Sequence, residues 1–321
     1  MAYPEAPTGG REFLYGIAIQ PSYGTAVTDA VAVCRLRGLD SVSIDEGIKQ
    51  YEHKVGTTKD PMIEESLMDV SGSAAKITLS GQLNRLLLPI WSNVHFQYVT
   101  GNVYSYFSDH PLTPYSITFI VHDPVSGRSK VYEGCVSPTF GYSAERGDDD
   151  LVKFDITLQS RKAGLIDQTL TGVNDPANWQ TSGSKADGYG KFHHTDLTYK
   201  IDVGAGDVAV LPSSWAMAFA HDELEQDDTD GDGAYNEIGF SERSGCTFEF
   251  NAKPSTNLHT ALTRARNGGA FKFKTLGFMK SFAIGQIMSS ELDADGLTSY
   301  DITAAIKTPD KDSNMVEIDC S

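Results

Sequence analysis

The sequence lacks any apolar run long enough to cross a membrane, and stretches such as LLLPIW are far too short. Its first residues, MAYPEAPTGGREF, lack the basic and apolar segments of an export signal. Cysteine is scarce, and the four cysteines, at positions 34, 135, 246 and 320, show neither CxxC spacing nor nearby histidines. These absences favour a chain without membrane contact that folds in the cytoplasm with reduced, structural thiols.

Basic residues are scarce too, because 26 Lys and Arg stand against 43 Asp and Glu, which gives a formal charge of -17. No cluster of Lys or Arg occurs, so tight docking on the phosphates of a nucleic acid is disfavoured. Catalytic signatures such as HExxH and GxSxG are missing. His193 and His194 are adjacent and would point to opposite faces of a strand, which suits surface or linker positions better than a metal site. We therefore expect that the protein is not an enzyme.

The chain does contain enough apolar residues for a core, 40% against 21% charged, over 321 residues, which is about the length of two domains. Short segments rich in β-branched and aromatic residues recur, bounded by Gly, Pro, Asp or Ser. They are SVSIDEG, AAKITLSG, YSITFIVHD, KVYEGCVS, VKFDITLQS, CTFEFNA, AFKFKTLGF, KSFAIGQIMSS and SYDITAAIK. The segments YSITFIVHD and KVYEGCVS are predicted to form a hairpin, because turn residues lie where they meet: Asp123, Pro124, Ser126 and Gly127. The sequence predicts a mainly β fold with short helices (α+β).

One helix is predicted over residues 82–90. Its apolar residues fall at helical spacing on one face: Leu83, Leu86, Leu87 and Ile90. Pro89 is expected to end or kink this helix.

A second helix is predicted over residues 255–266, with one apolar face made by residues 258, 261, 262 and 265. Ser255 or Thr256 would be its N-cap and Gly268 its C-cap.

Both halves repeat the order strand, helix, hairpin, acidic turn and strand. Aligned without gaps, residues 133–157 match residues 279–303 at Ser143/Ser289, Glu145/Glu291, Asp149/Asp295, Leu151/Leu297, Asp155/Asp301, Ile156/Ile302 and Thr157/Thr303. The helices have a larger offset, so the first half holds an insertion of about 29 residues, chiefly residues 91–114. We expect an internal duplication in which Asp155 is equivalent to Asp301 and the two helices are equivalent.

The duplication predicts a first domain over residues 1–163, with an N-terminal arm, and a second over residues 197–321, with a C-terminal tail. Residues 164–196 are rich in Gly, Asn, Asp, Ser and Thr and have weak periodicity, so we expect a linker or excursion.

This plan resembles that of the tail tube proteins of long-tailed bacteriophages, specifically those with two tube domains in one chain. The resemblance covers roughly residues 12–307 and rests on the order of the elements, since the family has no sharp motif. It implies two tandem β-sandwich domains, each with one flanking helix, whose inner sheets join into a barrel around a channel. It also implies a long loop that stacks one ring on the next. Residues 49–72 and 221–245 hold that place in the two halves.

The resemblance further implies a structural virion protein of the tail, made in the host cytoplasm. Its partners would be copies of itself, a tape-measure protein and the tail-tip and terminator proteins, while DNA passes through the lumen without specific binding. Two domains per chain would let three chains form a pseudo-hexameric ring, with strand edges paired between subunits. Acidic residues could line the lumen and repel phosphates, or they could simply solvate the outer surface.

Two alternatives are a different tail component, such as a terminator or baseplate hub, and a calcium-dependent carbohydrate-binding β-sandwich. Trp91, Trp179 and Trp215 could stack on sugars, but they are scattered along the chain and fit cores or interfaces better.

The acidic segment DDTDGDGAYNE contains a partial calcium-loop motif. Asp228, Asp230 and Asp232, followed by a glycine, fit alternating ligand positions, and Asn236 and Glu237 would complete the set. Gly239 stands where a calcium loop has its bidentate Glu, and no helix clearly flanks the segment. The sequence leaves open a weak calcium site and an ordinary solvated acidic loop, and it favours the loop.

If the segment is a solvated loop, Asp230→Ala should change the free energy of unfolding by no more than about 0.5 kcal/mol, because salt screens exposed charges. Calorimetric titration should then show no heat at millimolar calcium. Binding heat, with a melting temperature that chelator lowers in the wild type but not in Asp230→Ala, would instead establish the site.

Overall fold

The structure is a computed structural model. It describes residues 13–20, 22–25, 27, 29–46, 49–57, 60–69, 74–84, 87–95, 97–100, 103–106, 116–147, 150–162, 164–167, 173–180, 192–220, 224–227, 237–240, 246–267, 271–276, 279–284, 286–293, 299–306 and 316–319. Strands dominate these residues, which confirms the predicted mainly β fold. None of the helices found there is long and apolar enough to cross a membrane.

Among the described residues, the first half of the chain contains twelve strands and one α-helix. They are β1 (Leu14–Ile19), β2 (Cys34–Arg35), β3 (Leu39–Asp45), β4 (Lys49–Thr57), β5 (Asp60–Asp69), β6 (Lys76–Gln82), α1 (Leu87–His95), β7 (Gln97–Thr100), β8 (Val103–Tyr106), β9 (Ile117–Asp123), β10 (Arg128–Glu145), β11 (Val152–Gln159) and β12 (Leu165–Asp167).

The described part of the second half contains eleven strands and one α-helix. They are β13 (Thr198–Asp202), β14 (Asp207–Ala209), β15 (Pro212–Ala220), β16 (Leu224–Asp227), β17 (Glu237–Phe240), β18 (Cys246–Ala252), α2 (Thr256–Arg266), β19 (Phe271–Leu276), β20 (Met279–Ile284), β21 (Gln286–Asp293), β22 (Ser299–Ile306) and β23 (Val316–Asp319).

Eight antiparallel strands form a sheet that runs through both halves, here called the long sheet. Their order is β3-β6-β11-β10-β15-β18-β22-β21. Strand β10 continues into a first short sheet, β2-β1-β9-β10-β12. A second short sheet has the order β14-β13-β19-β20-β23-β8-β7, and the hairpins β4–β5 and β16–β17 stand apart.

Strand β10 can serve two sheets because its register shifts between Tyr132 and Cys135. Gly134 lies at this point with a φ of 62°, in the left-handed region that side chains with a Cβ disfavour. Residues before it pair with β9, and residues after it pair with β11 and β15. The hairpin that leads into β10 has the predicted turn, in which Asp123 Oδ1 accepts from the Val125 N–H at 2.9 Å.

One continuous apolar core covers one face of the long sheet in both halves. Helix α1 contributes Trp91, whose ring lies 5.3 Å from that of Phe154 on β11. In the second half, Phe248 on β18 lies 4.9 Å from Phe273 on the second short sheet. Trp91, Trp179 and Trp215 are all buried, which confirms that they fill cores. Cys34, Cys135 and Cys246 are buried free thiols, whereas Cys320 lies outside the described residues.

The second helix matches its prediction closely, but the first does not. Helix α2 starts after Ser255, whose hydroxyl accepts from the Leu258 N–H; its C-cap is Asn267, and Gly268 lies outside the described residues. Helix α1 begins at Leu87, after Asn84 accepts the Leu87 N–H at 2.9 Å. The expectation that Pro89 ends this helix was wrong, because α1 continues past it to His95, while a kink at Pro89 stays a prediction.

The order of elements and their pairing repeat in the two halves. Strands β1, β2, β3, β6, β9 and β11 correspond to β13, β14, β15, β18, β19 and β22, and β10 corresponds to β20 with β21. The hairpins β4–β5 and β16–β17 occupy matching places, as predicted for residues 49–72 and 221–245. Residues 91–95 of the expected insertion belong to α1, so its predicted start was wrong, whereas its later residues form β7 and β8, and β8 pairs with β23.

The ungapped alignment of residues 133–157 with residues 279–303 holds for β11 and β22 but not for β10 and β21. Asp155 pairs with Gly141 and Asp301 pairs with Glu291, so β21 is displaced by four residues from its predicted alignment with β10. The cause is a shorter connection between β21 and β22. The predicted equivalences Ser143/Ser289 and Glu145/Glu291 are therefore wrong.

Parts of residues 164–196 pack on the first half. Strand β12 pairs with β10, and Val173 and Trp179 are buried against the outer face of the first short sheet. The Gln180 N–H donates to the Val33 carbonyl at 2.7 Å. These described residues form a docked excursion, while the proposed boundaries at 163 and 197 stay predictions.

Candidate assembly interface

The predicted calcium ligands fall largely outside the described residues. Asp228, Asp230, Asp232 and Asn236 lie there, and Glu237 starts β17, with its backbone paired to Asp227. Within the part of the chain that the structure describes, no three His, Cys, Asp or Glu side chains are placed to hold a metal ion. The calcium site therefore stays a prediction.

The adjacent histidines occupy different environments. His193 is half-buried, but His194 is 1% exposed, so the prediction of a surface position is wrong for His194. Its carbonyl accepts from the Tyr199 hydroxyl at 3.2 Å, and that hydroxyl accepts from Trp215 Nε1 at 3.1 Å. Burial lowers the pKa of His194, and the nearby Asp150 carboxylate only partly opposes this effect. His194 thus packs as a neutral core residue.

The two halves of the chain meet edge to edge where β10 pairs with β15. We call this joint the internal seam. Seven residue pairs align, from Thr139 opposite Ala220 to Glu145 opposite Ser214. On the core side, the rings of Phe140 and Phe219 lie 6.4 Å apart, and Phe140 lies 4.5 Å from Tyr142. Backbone pairing and aromatic packing together make the seam part of the fold.

A shared β-bulge fixes which residues in the two halves are equivalent. Between β3 and β6 the register shifts from Leu39–Gly81 to Ser41–Ser80, so Asp40 is the extra residue. Between β15 and β18 it shifts from Pro212–Ala252 to Ser214–Asn251, so Ser213 is the extra residue. Ser80 pairs with Asp155 and Asn251 pairs with Asp301, so the bulge agrees with the predicted Asp155/Asp301 equivalence.

The ends of the long sheet are the counterparts of the internal seam. Among the described strands, β3 pairs only with β6, and β21 pairs only with β22. Strand β3 corresponds to β15, and β21 corresponds to the seam portion of β10. Each chain therefore presents both partners of the seam, one at each end of the sheet.

Side-chain burial on β3 fits a missing neighbour. Val42 and Ile44 are only half-buried, whereas their equivalents Trp215 and Met217 on β15 are 2% and 1% exposed. The same positions are thus covered in the second half and open in the first. Apolar side chains left open along an unpaired edge are typical of a surface that is buried on assembly.

The face of the long sheet opposite the core is polar, acidic and small-chained. Its charged side chains, where described, comprise six carboxylates (Asp40, Asp45, Glu145, Asp155, Glu249 and Asp301) and two lysines (Lys76 and Lys153). At the internal seam this face carries mostly Gly, Ser and Ala, and an open cavity of about 700 Å³ makes it concave there. Many of the acidic residues thus share one concave face.

The carboxylates on this face affect one another. Lys153 lies 3.7 Å from Asp40, and Asn251 donates to Asp301. Partial burial and the charge of Asp40 raise the pKa of Asp155, although Lys153 opposes them. The face therefore holds an excess of negative charge that its own lysines do not neutralise.

Sequence reasoning found Asp155 and Asp301 but missed the seam, because PSSWAMAFA was not identified as a strand. Its signal was strict alternation of large buried residues (Trp215, Met217 and Phe219) with small ones. Comparison with models of known protein families found no match, and no curated protein is significantly similar to the chain.

The equivalences predict the register of a seam between two chains. Within the chain Ser143 pairs with Ala216, and the corresponding residues at the free edges are Asp293 and Ser43. Cysteines at Ser43→Cys and Asp293→Cys should therefore form disulfides between chains on oxidation, since paired residues in antiparallel strands lie about 4.5–5.5 Å apart. A non-reducing gel should show dimers and trimers.

Two matched pairs control this experiment. Ser143→Cys with Ala216→Cys should bridge within one chain. Thr78→Cys with Asp293→Cys should not bridge, because Thr78 lies one strand further from the edge, opposite Ser43. Equal crosslinking of the Thr78 pair and the Ser43 pair would contradict the proposed register.

Proposed function

We propose that this chain is a structural tube subunit, of the kind found in the tails of long-tailed phages, and that its copies join into rings that stack around a DNA channel. In this proposal each half is a tube domain, a β-sandwich built from part of the long sheet, one short sheet and one helix. The single observation that carries the proposal is the internal seam, which joins two repeated units. The strands at their free edges, β3 and β21, correspond to β15 and β10, the two strands that form the seam.

The seam geometry is compatible with a closed barrel. A row of paired residues that starts at Ser41 passes through Ser80, Asp155 and Gly141 and reaches Ala218, four residues from Ser214, the equivalent of Ser41. A stagger of four residues, each about 3.3 Å, across four strands about 4.8 Å apart corresponds to a strand tilt of roughly 35°. Barrels have strand tilts close to this value.

Three chains, each with eight strands in the long sheet, would close a barrel of about 24 strands. A barrel of that size leaves an open channel, since side chains fill only much smaller ones. Because the concave face carries the carboxylates, it would line the channel and repel phosphates. Within the proposal, this favours the acidic lumen over acidic residues that only solvate the outside.

The alternative of a carbohydrate-binding module has less support. Aromatic side chains that stack on sugars must be exposed, whereas all three tryptophans are buried. A tail terminator or baseplate hub with the same edges would form one ring and stop, and ring stacking separates that alternative from a tube subunit.

Electron microscopy of the purified chain should show hollow rings and tubes. Deleting residues 55–66 should leave a folded protein that forms rings but cannot stack them into tubes. The reason is that β4 and β5 pair only with each other among the described strands, so the deletion leaves the long sheet intact. Normal tubes from the deletion would contradict a stacking role, and dispersed monomers of the wild type at all concentrations would contradict the tube function.

Reversing charge on the concave face should make the channel retain DNA. Tubes of Asp155→Lys with Asp301→Lys should bind short duplex DNA at low salt and release it as salt rises, whereas wild-type tubes should not bind it. Fluorescence anisotropy measures this binding. Asp29→Lys with Asp196→Lys is the control, because both residues are exposed outside the long sheet. Equal binding by the control would contradict placement of the acidic face in the channel.

A further inference from the structure

A charged residue points inward at the free edge of the long sheet. Val42, Ile44 and Glu46 alternate toward the core side of β3 and the residue that follows it, and all three are half-buried. The Glu46 carboxylate accepts hydrogen bonds from the Lys130 ammonium and, at 2.6 Å, from the Tyr132 hydroxyl. We call Glu46, Lys130 and Tyr132 the edge cluster.

The edge cluster borders an open groove between β3 and the first short sheet. Phe13, Ile44 and Val121 also line this groove, together with Asp123 and Arg128. The side chains of Lys130 and Glu46 are 31% and 25% exposed, so solvent still reaches the ion pair. Partial burial acts to raise the pKa of Glu46, but the hydrogen bonds from Lys130 and Tyr132 and the Lys130 charge outweigh it and lower the pKa. Glu46 is therefore ionised at neutral pH.

The internal seam has an aromatic residue at the equivalent position. Glu46 on the β3 side corresponds to Phe219 on β15, which is 1% exposed and lies 6.4 Å from Phe140. At the seam between chains the same register places Ser290 of β21 opposite Glu46. The two joints thus share backbone geometry but differ in chemistry: one is filled by aromatic rings and the other holds an ion pair.

We propose that the edge cluster makes the seam between chains weaker than the internal seam. As a result, β21 of a second copy covers the groove only above a threshold concentration. This inference rests on the proposed function. Covering the groove removes water from an ion pair, and the desolvation penalty offsets much of the gain from strand pairing. An inward-pointing charge on an edge strand also opposes indiscriminate pairing with other strands.

The second copy is the occupant that the internal seam itself indicates. It brings β21, the counterpart of β10, to β3, the counterpart of β15, and buries the half-exposed Val42 and Ile44 in the way that Trp215 and Met217 are buried. On the core side of that joint, the edge cluster places an ion pair where the internal seam has the contact between Phe140 and Phe219.

The test removes the ion pair while keeping its volume. Glu46→Leu with Lys130→Met leaves no unpaired charge and should lower the concentration at which rings form by about ten-fold, since apolar replacement of a desolvated ion pair is commonly stabilising. Sedimentation velocity over a concentration series measures this threshold. The matched control is Glu133→Leu with Lys162→Met, which removes a 2.6 Å ion pair away from the β3 edge and should leave the threshold unchanged.

The outcomes separate the inference from the function on which it rests. If the wild type forms rings and the edge variant has the same threshold, the inference is wrong and the proposed function stands. If both double variants lower the threshold equally, surface charge in general is responsible and the inference is also wrong. If neither the wild type nor the edge variant associates, and the Ser43–Asp293 disulfide fails to form, the proposed function is wrong and the inference falls with it.

Discussion

The architecture depends on the backbone pairing of β10 with β15. Seven aligned residue pairs join the two halves into one eight-stranded sheet, and the aromatic rings of Phe140 and Phe219 close the core beneath it. Without that pairing, each half would have two open edges and a divided core. With it, the described long sheet has one edge strand at each end, β3 and β21. These two strands correspond to β15 and β10, which pair with each other within the chain.

A single strand, β10, connects this seam to both sheets of the first half. Strand β10 bends at Gly134, so its first part pairs in the first short sheet while its last part forms the seam. In the second half, the counterparts of these two parts of β10 are β20 in the second short sheet and β21 at the free edge of the long sheet. A strand that serves two sheets therefore requires a local break in the ladder, which Gly134 and a register shift provide in β10.

Edge pairing carries a conflict between assembly and solubility. An edge that is good at joining a partner is also good at joining the wrong one, so a free subunit needs some opposing force. The internal seam joins two parts of one chain, and apolar and aromatic side chains fill its core side. In the proposed assembly the β3 edge stays open in the free chain, and there Glu46, which binds Lys130 and Tyr132, occupies the position that Phe219 has at the internal seam.

The sequence by itself determined the local structure: period-two strands such as CTFEFNA, the turn after Asp123, the Ser255 cap and the Asp155/Asp301 equivalence. These depend on nearby side chains and backbone preferences. It misplaced α1, which continues past Pro89 to His95, and it missed β15 and the four-residue shift of β21. Only the tertiary structure decided the seam, the concave acidic face and the edge cluster, because strand pairing joins backbone groups far apart in the chain and side-chain patterns do not encode which edges meet.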